Sequence, residues 1–234
     1  MTLYPQKQTQ VFIARALPFE NKARFMQAYS LCRAARKAKI DALHFEKDKC
    51  LSLAAEMLLR HACKEYGVDY ATENITVDEN SKPKFARAPL HFNLSHSGNV
   101  AICAMSPWSI GCDVEKIHDI DMALAKRFFC QKEYEQILAC EKQEQKQMFF
   151  RLWTLKESFM KCTGLGFKLP LSEFCIEFFE NKISVTHTLD SFNYHFFEYS
   201  ALCDYKLAAC LRLSPTQPKA PLPQIIFKEI ELEI

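Results

Sequence analysis

"HFNLSHSGNVAICAMS", residues 91–106, is followed after three residues by "IGCDVEKI", residues 110–117. The first reads as two strands around a Ser-His-Ser-Gly-Asn turn and the second as one more strand. The pattern on either side decides the fold. Upstream lie a strand, "VFIARAL" (11–17), a helical pattern across 19–44, and a strong helix at 46–67 with Gly67 as its stop. "NITV" then begins a second strand, and "KPKFARAPL" is a proline-punctuated loop. Downstream, helices run from 119 to 163 and end near Gly164. "EFCIEFFE", "KISVTHT", "YHFFEYSA" and "YKLAACLRL" follow as strands, the last echoing "NVAICAMS".

The order strand, helices, strands therefore occurs twice and starts over near residue 108. An α+β fold of two similar halves is expected, with the first at 1–108 and the second at 109–213. Residues 214–234 hold a Pro-rich link, "SPTQPKAPLP", and a last segment, "IIFKEIELEI", that reads as an edge strand or a packed tail.

Composition sets outer limits. The 234 residues suffice for one large domain or two small ones, and 49% hydrophobic with 25% charged residues is the balance of a soluble globular protein. A net charge of +2 gives no bulk attraction to nucleic acid or to a membrane, so any basic site is local. The opening "MTLYPQKQTQ" has no apolar run of the signal-peptide kind, and no stretch approaches a membrane span. Eleven cysteines without a C-x-x-C pair argue against a disulfide framework or zinc site and for mostly buried thiols in a reducing compartment, the cytoplasm. Only five glycines occur, and no Gly-rich phosphate loop is among them.

Chemistry could sit in three places. In the strand at 110–117, Ile110, Cys112 and Val114 point one way, and Asp113 and Glu115 the other. The two carboxylates are anchored about 7 Å apart. They read either as the wet face of a half-buried strand or as a cation site of the kind magnesium uses. In "WTLKESFMK" (153–161), Lys156 shares a helix side with Leu152, Trp153 and Met160, so it points into the expected core. Glu157 and Lys161 flank that side one turn apart. They are an ordinary i,i+4 pair, or Glu157 is a third carboxylate and Lys156 and Lys161 face an anion. Lys156 otherwise snorkels along its apolar neighbours. The third place is "NLSHSG", where His96 is structural or donates to a phosphate.

Taken in order, "NLSHS", "GCDVE" and "WTLKESFMK" some forty residues later resemble the 4′-phosphopantetheinyl transferases of the large, surfactin-synthetase-activating type. The resemblance runs from the basic stretch near Arg36 to about residue 210. It implies two α/β halves related by a pseudo-twofold with the active site in the cleft between them. It also implies transfer of phosphopantetheine from coenzyme A to a serine of an apo acyl or peptidyl carrier protein, with adenosine 3′,5′-bisphosphate as the other product. By resemblance, Asp113, Glu115 and Glu157 are ligands of Mg2+, with Mn2+ as a substitute. Glu157 also stands as the base, Lys161 and Lys156 lie near the pyrophosphate, Ser95 and His96 contact phosphate, and Arg36, Lys39 and Lys82 surround the 3′-phosphate. Asp113 and Lys161 are counted among the coenzyme A contacts as well.

Three positions depart from the family pattern. Cys112 replaces the common Ile or Val, Ser81 stands before Lys82-Pro83 where glycine is usual, and Leu51 falls where a basic residue often helps hold the nucleotide. Lys49 or Lys47 could supply that charge. Phe128 and Phe129, with Lys126 and Arg127, are candidates for docking the carrier's acidic helix, or are helix core and solvated charge. The chain holds both halves, so a monomer is expected. Alternative functions are a magnesium-dependent diphosphate hydrolase and a non-catalytic carrier-binding module.

Overall fold

The computed structural model describes residues 8–180, 182–216 and 223–232. The readings of residues 1–7, of the middle of the Pro-rich link, 217–222, and of the last two residues, 233–234, lie outside them. The chain divides into two compact units, Met1–Pro107 with Pro223–Ile234, and Trp108–Leu222.

The first unit opens with β1 (Thr9–Arg15). The helical pattern that follows is two helices, α1 (Lys22–Ser30) and α2 (Ala34–Asp41). Asn21 caps α1, accepting the N–H of Ala23 and of Arg24 at 3.0 and 3.1 Å. The long α3 (Glu46–Tyr66) ends where Gly67 turns left-handed at φ 67°. A small hairpin, β2 (Ile75–Val77) and β3 (Pro83–Phe85), precedes the strands β4 (His91–Ser97) and β5 (Val100–Ser106). Leu53, Leu58, Leu59 and Ala62 of α3 are wholly buried in a core with Phe12, Phe92 and Met105. Tyr66 closes the end of the helix, its hydroxyl donating to the Met105 carbonyl at 3.0 Å.

The second unit repeats this order. β6 (Ser109–Lys116) leads to α4 (Ala123–Phe128), α5 (Gln131–Ala139) and the long α6 (Lys142–Thr163), which stops at Gly164 with φ 79°. A hairpin, β7 (Cys175–Phe179) and β8 (Lys182–Thr186), precedes β9 (Asn193–Tyr199) and β10 (Tyr205–Leu213). The sheets show the same arrangement. In the first unit β5 lies between β1 and β4, and in the second β10 lies between β6 and β9. In each unit the long helix packs on this sheet. The halves are thus alike element for element, and the echo between residues 99–106 and 205–213 comes from their two central strands.

One strand has no counterpart. β11 (Ile225–Glu229) pairs in parallel with β1, Val11 opposite Phe227, and extends the first sheet to the order β11-β1-β5-β4. Residues 225–229 of the last segment are therefore an edge strand, and they belong to the first unit rather than to a tail of their own. Their backbone pairs along an edge of β1 that would otherwise present unpaired N–H and C=O groups.

Candidate active site

The strand β6 and the helix α6 meet at Gly111. A Cβ placed there would lie 2.1 Å from the Ser158 carbonyl oxygen and 2.3 Å from the Cys162 nitrogen. Only glycine lets the helix backbone come so close. The Ser109 hydroxyl donates to the Cys162 carbonyl at 3.0 Å, and the Cys162 thiol to the Ser109 carbonyl at 3.4 Å, so the last turns of α6 are tied to the start of β6. Residues 111, 113 and 115 share a face of the strand, which is the face the helix covers. Asp113 is consequently 2% exposed, and the wet-face reading fails for it, while Glu115 is half-buried.

Lys161 reaches Asp113 from this helix, with Nζ 2.6 Å from Oδ1. Burial works against the lysine's charge, but the adjacent Asp113 carboxylate more than offsets it and holds the ammonium above the ordinary lysine value. One turn earlier, Glu157 is half-buried. Desolvation raises its carboxyl above the usual range, Lys161 pulls it down, and the negative charge of Asp113 adds to the rise. Among the described residues, Cys130, Glu133 and Cys175 have ligand atoms that all lie within 4.8 Å of one another.

Lys156 requires a correction. It points inward as the helical period predicts, but not at an anionic substrate. Its side chain and that of Glu133 are both 0% exposed, with Nζ 2.7 Å from each carboxylate oxygen. The ammonium also donates to the Phe174 carbonyl at 2.6 Å and sits 4.1 Å from the centroid of the Phe174 ring. Burial pushes its pKa down to about 8 although Glu133 opposes the shift. A lysine so enclosed cannot touch a substrate; it fixes α6 against α5 and the start of β7. Sequence reasoning missed Glu133. The signal available was the Cys-x-x-Glu spacing at 130–133, which forms a capping box at the start of α5.

Beside Glu157 is a pocket of about 360 Å³ lined by Arg127, Phe128, Trp153, Met160, Leu169 and Leu171 among others. Phe128 meets Trp153 edge-on at 5.8 Å. Its neighbour Phe129 is 4% exposed and belongs to the core, as its alternative reading held, while Lys126 and Arg127 are exposed.

The basic residues of the first unit have several fates. Arg33 and Arg36 grip the two oxygens of buried Glu56, at 2.8 and 2.7 Å, and Tyr70 donates to the same carboxylate. Part of the Arg36 guanidinium is thus spent inside the fold. Lys39 is exposed on α2. Lys82 is half-buried in the β2–β3 turn, where Asp78 accepts its backbone N–H at 2.9 Å. Ser81 in this turn has φ 66°, the only positive φ outside glycine among the described residues, so the turn keeps the backbone that glycine favours. On β4, Ser95 is buried and His96 exposed. Leu51 is a core residue of α3, and Lys49 pairs with Glu46 at 2.6 Å.

Two family descriptions match, the 4′-phosphopantetheinyl transferase superfamily over residues 109–210 and the 4′-phosphopantetheinyl transferase N-terminal region over residues 19–108. The 4′-phosphopantetheinyl transferase Sfp of Bacillus subtilis (strain 168) is 33% identical over 203 residues, 86% of this chain and 89% of that protein. The chain belongs to the 4′-phosphopantetheinyl transferase family. A second Bacillus subtilis 4′-phosphopantetheinyl transferase is 35% identical over the same shares of both chains. Among solved structures, the holo-[acyl-carrier-protein] synthase of Thermotoga maritima aligns with a TM-score of 0.40 and 17% identity, covering 45% of this chain and 63% of that one. For a phosphopantetheinyl transferase the G-x-D-x-E motif now has a physical reading: its glycine admits the helix, and its aspartate meets the lysine that the helix carries. The hydrolase and binding-module alternatives find no support among these relatives. Among the described residues, no helix of this transferase is long and apolar enough to cross a membrane.

Proposed function

We propose that the chain transfers 4′-phosphopantetheine from coenzyme A to a serine hydroxyl of an apo acyl or peptidyl carrier protein and releases adenosine 3′,5′-bisphosphate. The support is the close approach of α6 to β6 at Gly111, which sets Lys161 on Asp113 and places Glu157 on the same helix. Asp113, Glu115 and Glu157 are the side chains that would hold a divalent cation. Carboxylate oxygens alone are a hard donor set, suited to Mg2+ or Mn2+ and not to zinc or copper. Such an ion, when bound, neutralises charge on diphosphate oxygens.

The chain's own groups supply the rest. Lys161, kept charged by Asp113, gives a fixed ammonium for a phosphate oxygen. Glu157, with its raised pKa, takes the proton of the attacking serine hydroxyl, directly or through a water. The serine oxygen–phosphorus bond forms as the phosphorus–oxygen bond to the adenosine bisphosphate breaks. Ser95 and His96 are assigned to phosphate contact, and Lys39 and Lys82 to the 3′-phosphate, with Arg36 contributing what Glu56 leaves of it. The pocket beside Glu157, with apolar Phe128 and Trp153 and the exposed cations Arg127 and Lys126 nearby, suits the approach of the carrier's acidic helix.

Because both halves lie in one chain, the working form is taken as a monomer. The cytoplasm, where coenzyme A and carrier proteins meet, is the proposed compartment. Incubation with coenzyme A, magnesium and an apo carrier, read by the carrier's intact mass, tests the proposal. A gain of one phosphopantetheine is expected, and an unchanged carrier with consumed coenzyme A would point to hydrolysis instead.

A further inference from the structure

Cys130 and Cys175 are joined by a disulfide across 45 residues of sequence, with Cα atoms 5.9 Å apart, inside the range such a bond spans without moving the backbone. Cysteine spacing carries no mark of this pair, because it reveals only cysteines that are neighbours in the chain. Each cysteine sits within one residue of the buried Lys156–Glu133 pair's backbone partners. The Cys130 N–H donates to Glu133 Oε2 at 3.0 Å. On the other side, the Ile176 N–H donates to Glu133 Oε1 at 2.7 Å, and the Phe174 carbonyl accepts from Lys156. The bond therefore staples together the two segments whose main chain satisfies a buried ion pair, directly behind the helix residue that precedes Glu157.

Cys130, Glu133 and Cys175 also have the proximity of a metal site. The charges reject that reading. Both Glu133 oxygens are already taken by the Lys156 ammonium, and each also accepts a backbone N–H. A cation placed there would face that ammonium. Thiol chemistry remains. Both cysteines are half-buried, so small thiols and disulfides can reach them. Cys130 is the N-cap of α5, and its sulfur receives the N–H of Glu133. Peptide dipoles at a helix start stabilise a thiolate, the attacking species in thiol–disulfide exchange. Seven of the nine other cysteines are buried, and only Cys140 and Cys203 compare in exposure.

We propose that Cys130 and Cys175 are a reversible oxidation site, exchanging with a small-molecule disulfide such as glutathione disulfide, and that the bond braces the Lys156–Glu133 pair. The Cys130 thiolate attacks one sulfur of glutathione disulfide, whose S–S bond breaks and releases one glutathione thiolate. The Cys175 thiolate then attacks the Cys130 sulfur and releases the second. Two protein thiols are oxidised and one glutathione disulfide is reduced, with the two thiol protons ending on the two glutathiones.

The full chain, without coenzyme A or carrier, is equilibrated in glutathione buffers of graded potential, quenched in acid, alkylated and mapped by mass spectrometry. Protection of Cys130 and Cys175 together is expected, with a linked peptide, while Cys140 and Cys203 stay alkylated. The ratio of bonded to open pair should change tenfold per ~30 mV, the slope of a two-electron couple. The oxidised protein should melt several degrees above the reduced one, and that gap should vanish in Cys130→Ser and in Cys175→Ser. A bond to another cysteine, two thiols that stay open in glutathione disulfide, a bond that resists the most reducing buffer, or protection that follows a chelator instead of the glutathione ratio would overturn the proposal. Equal melting of the two states would overturn the bracing role. None of these readouts uses transferase activity, so the result stands apart from the proposed function.

Discussion

The Nζ of Lys156 stands 2.7 Å from both carboxylate oxygens of Glu133, and neither side chain reaches solvent. A pair of this kind costs desolvation on both sides, and removing one partner strands the other charge in the core. Lys156→Met or Glu133→Gln alone should destabilise the protein by about 3–5 kcal/mol, and Lys156→Met with Glu133→Gln, which keeps an amide oxygen for the Ile176 N–H, should recover part of that loss. Urea unfolding of the three variants checks this. Single variants as stable as the wild type would mean the pair does not hold the helix.

Gly111 predicts a different failure. The methyl group of Gly111→Ala would meet the backbone at Ser158 and Cys162, not a side chain that can swing away. The helix must shift, carrying Glu157 and Lys161 with it. Stability should fall by about 1–3 kcal/mol or more. Carrier modification should fall about a hundredfold in protein that is still folded, the scale of a 1 Å misplacement. Unimpaired turnover in the variant would show that the helix tolerates the shift.

Glu56 predicts an acid response. Burial alone would raise its carboxyl, but Arg36, Tyr70 and Arg33 together pull it below the ordinary 4.5. A carboxyl lowered by folding stabilises the protein above its unfolded value. That contribution is lost as pH falls from about 4.5 toward the lower folded value. Glu56→Gln should lower the melting temperature at pH 7, and its melting temperature should then fall less steeply than wild type below pH 5. Parallel profiles would show that another group carries the acid sensitivity.

Much of this was legible because burial and period leave marks in sequence. The alternation in residues 91–95 and 110–115 and the unbroken apolar run at 100–105 mark β4, β6 and β5, and the position of Lys156 between Leu152 and Met160 correctly points it inward. What it meets there was hidden, since Glu133 lies 23 residues away on another helix and only tertiary packing joins them. Gly111 reads as one glycine among five, and the reason for it is the backbone of a helix almost fifty residues later. The turn at Ser81 shows the reverse limit. The family preference for glycine correctly warns of an unusual backbone, but not that a serine adopts it unchanged. Breaks in the long helical runs, at 31–33, 129–130 and 140–141, carry no proline or glycine and escaped notice.

The carboxylates of β6 and α6 predict metal dependence. Carrier modification should require magnesium or manganese and stop with excess chelator. Asp113→Ala and Glu157→Gln should each cut turnover by at least about a hundredfold, the scale of lost electrostatic stabilisation of a transition state. Circular dichroism and melting should show both variants folded. Near-normal turnover in either folded variant, or full activity in chelator, would remove that residue or the ion from the mechanism.

Recognition of the 3′-phosphate is tested at Lys39 and Lys82. Arg36 is unsuited to the experiment, because Arg36→Ala would also strip buried Glu56 of a partner and damage the fold. Lys39 is exposed, and Lys82 is held by its backbone in the turn that Asp78 organises. Their side chains can be shortened with less risk to the fold. The 3′-phosphate is far from the reacting phosphorus, so contacts to it act as binding common to ground and transition states. Their loss should raise KM and change kcat little. With Lys39→Ala and Lys82→Ala combined, the KM for coenzyme A should rise at least about tenfold, the scale of one hydrogen bond to a charged group. Dephospho-coenzyme A lacks the phosphate and provides the matched control. The wild type should prefer coenzyme A, and the double variant should treat the two donors nearly alike. A penalty equal for both donors would place these lysines in the fold or at the carrier surface instead of at the 3′-phosphate.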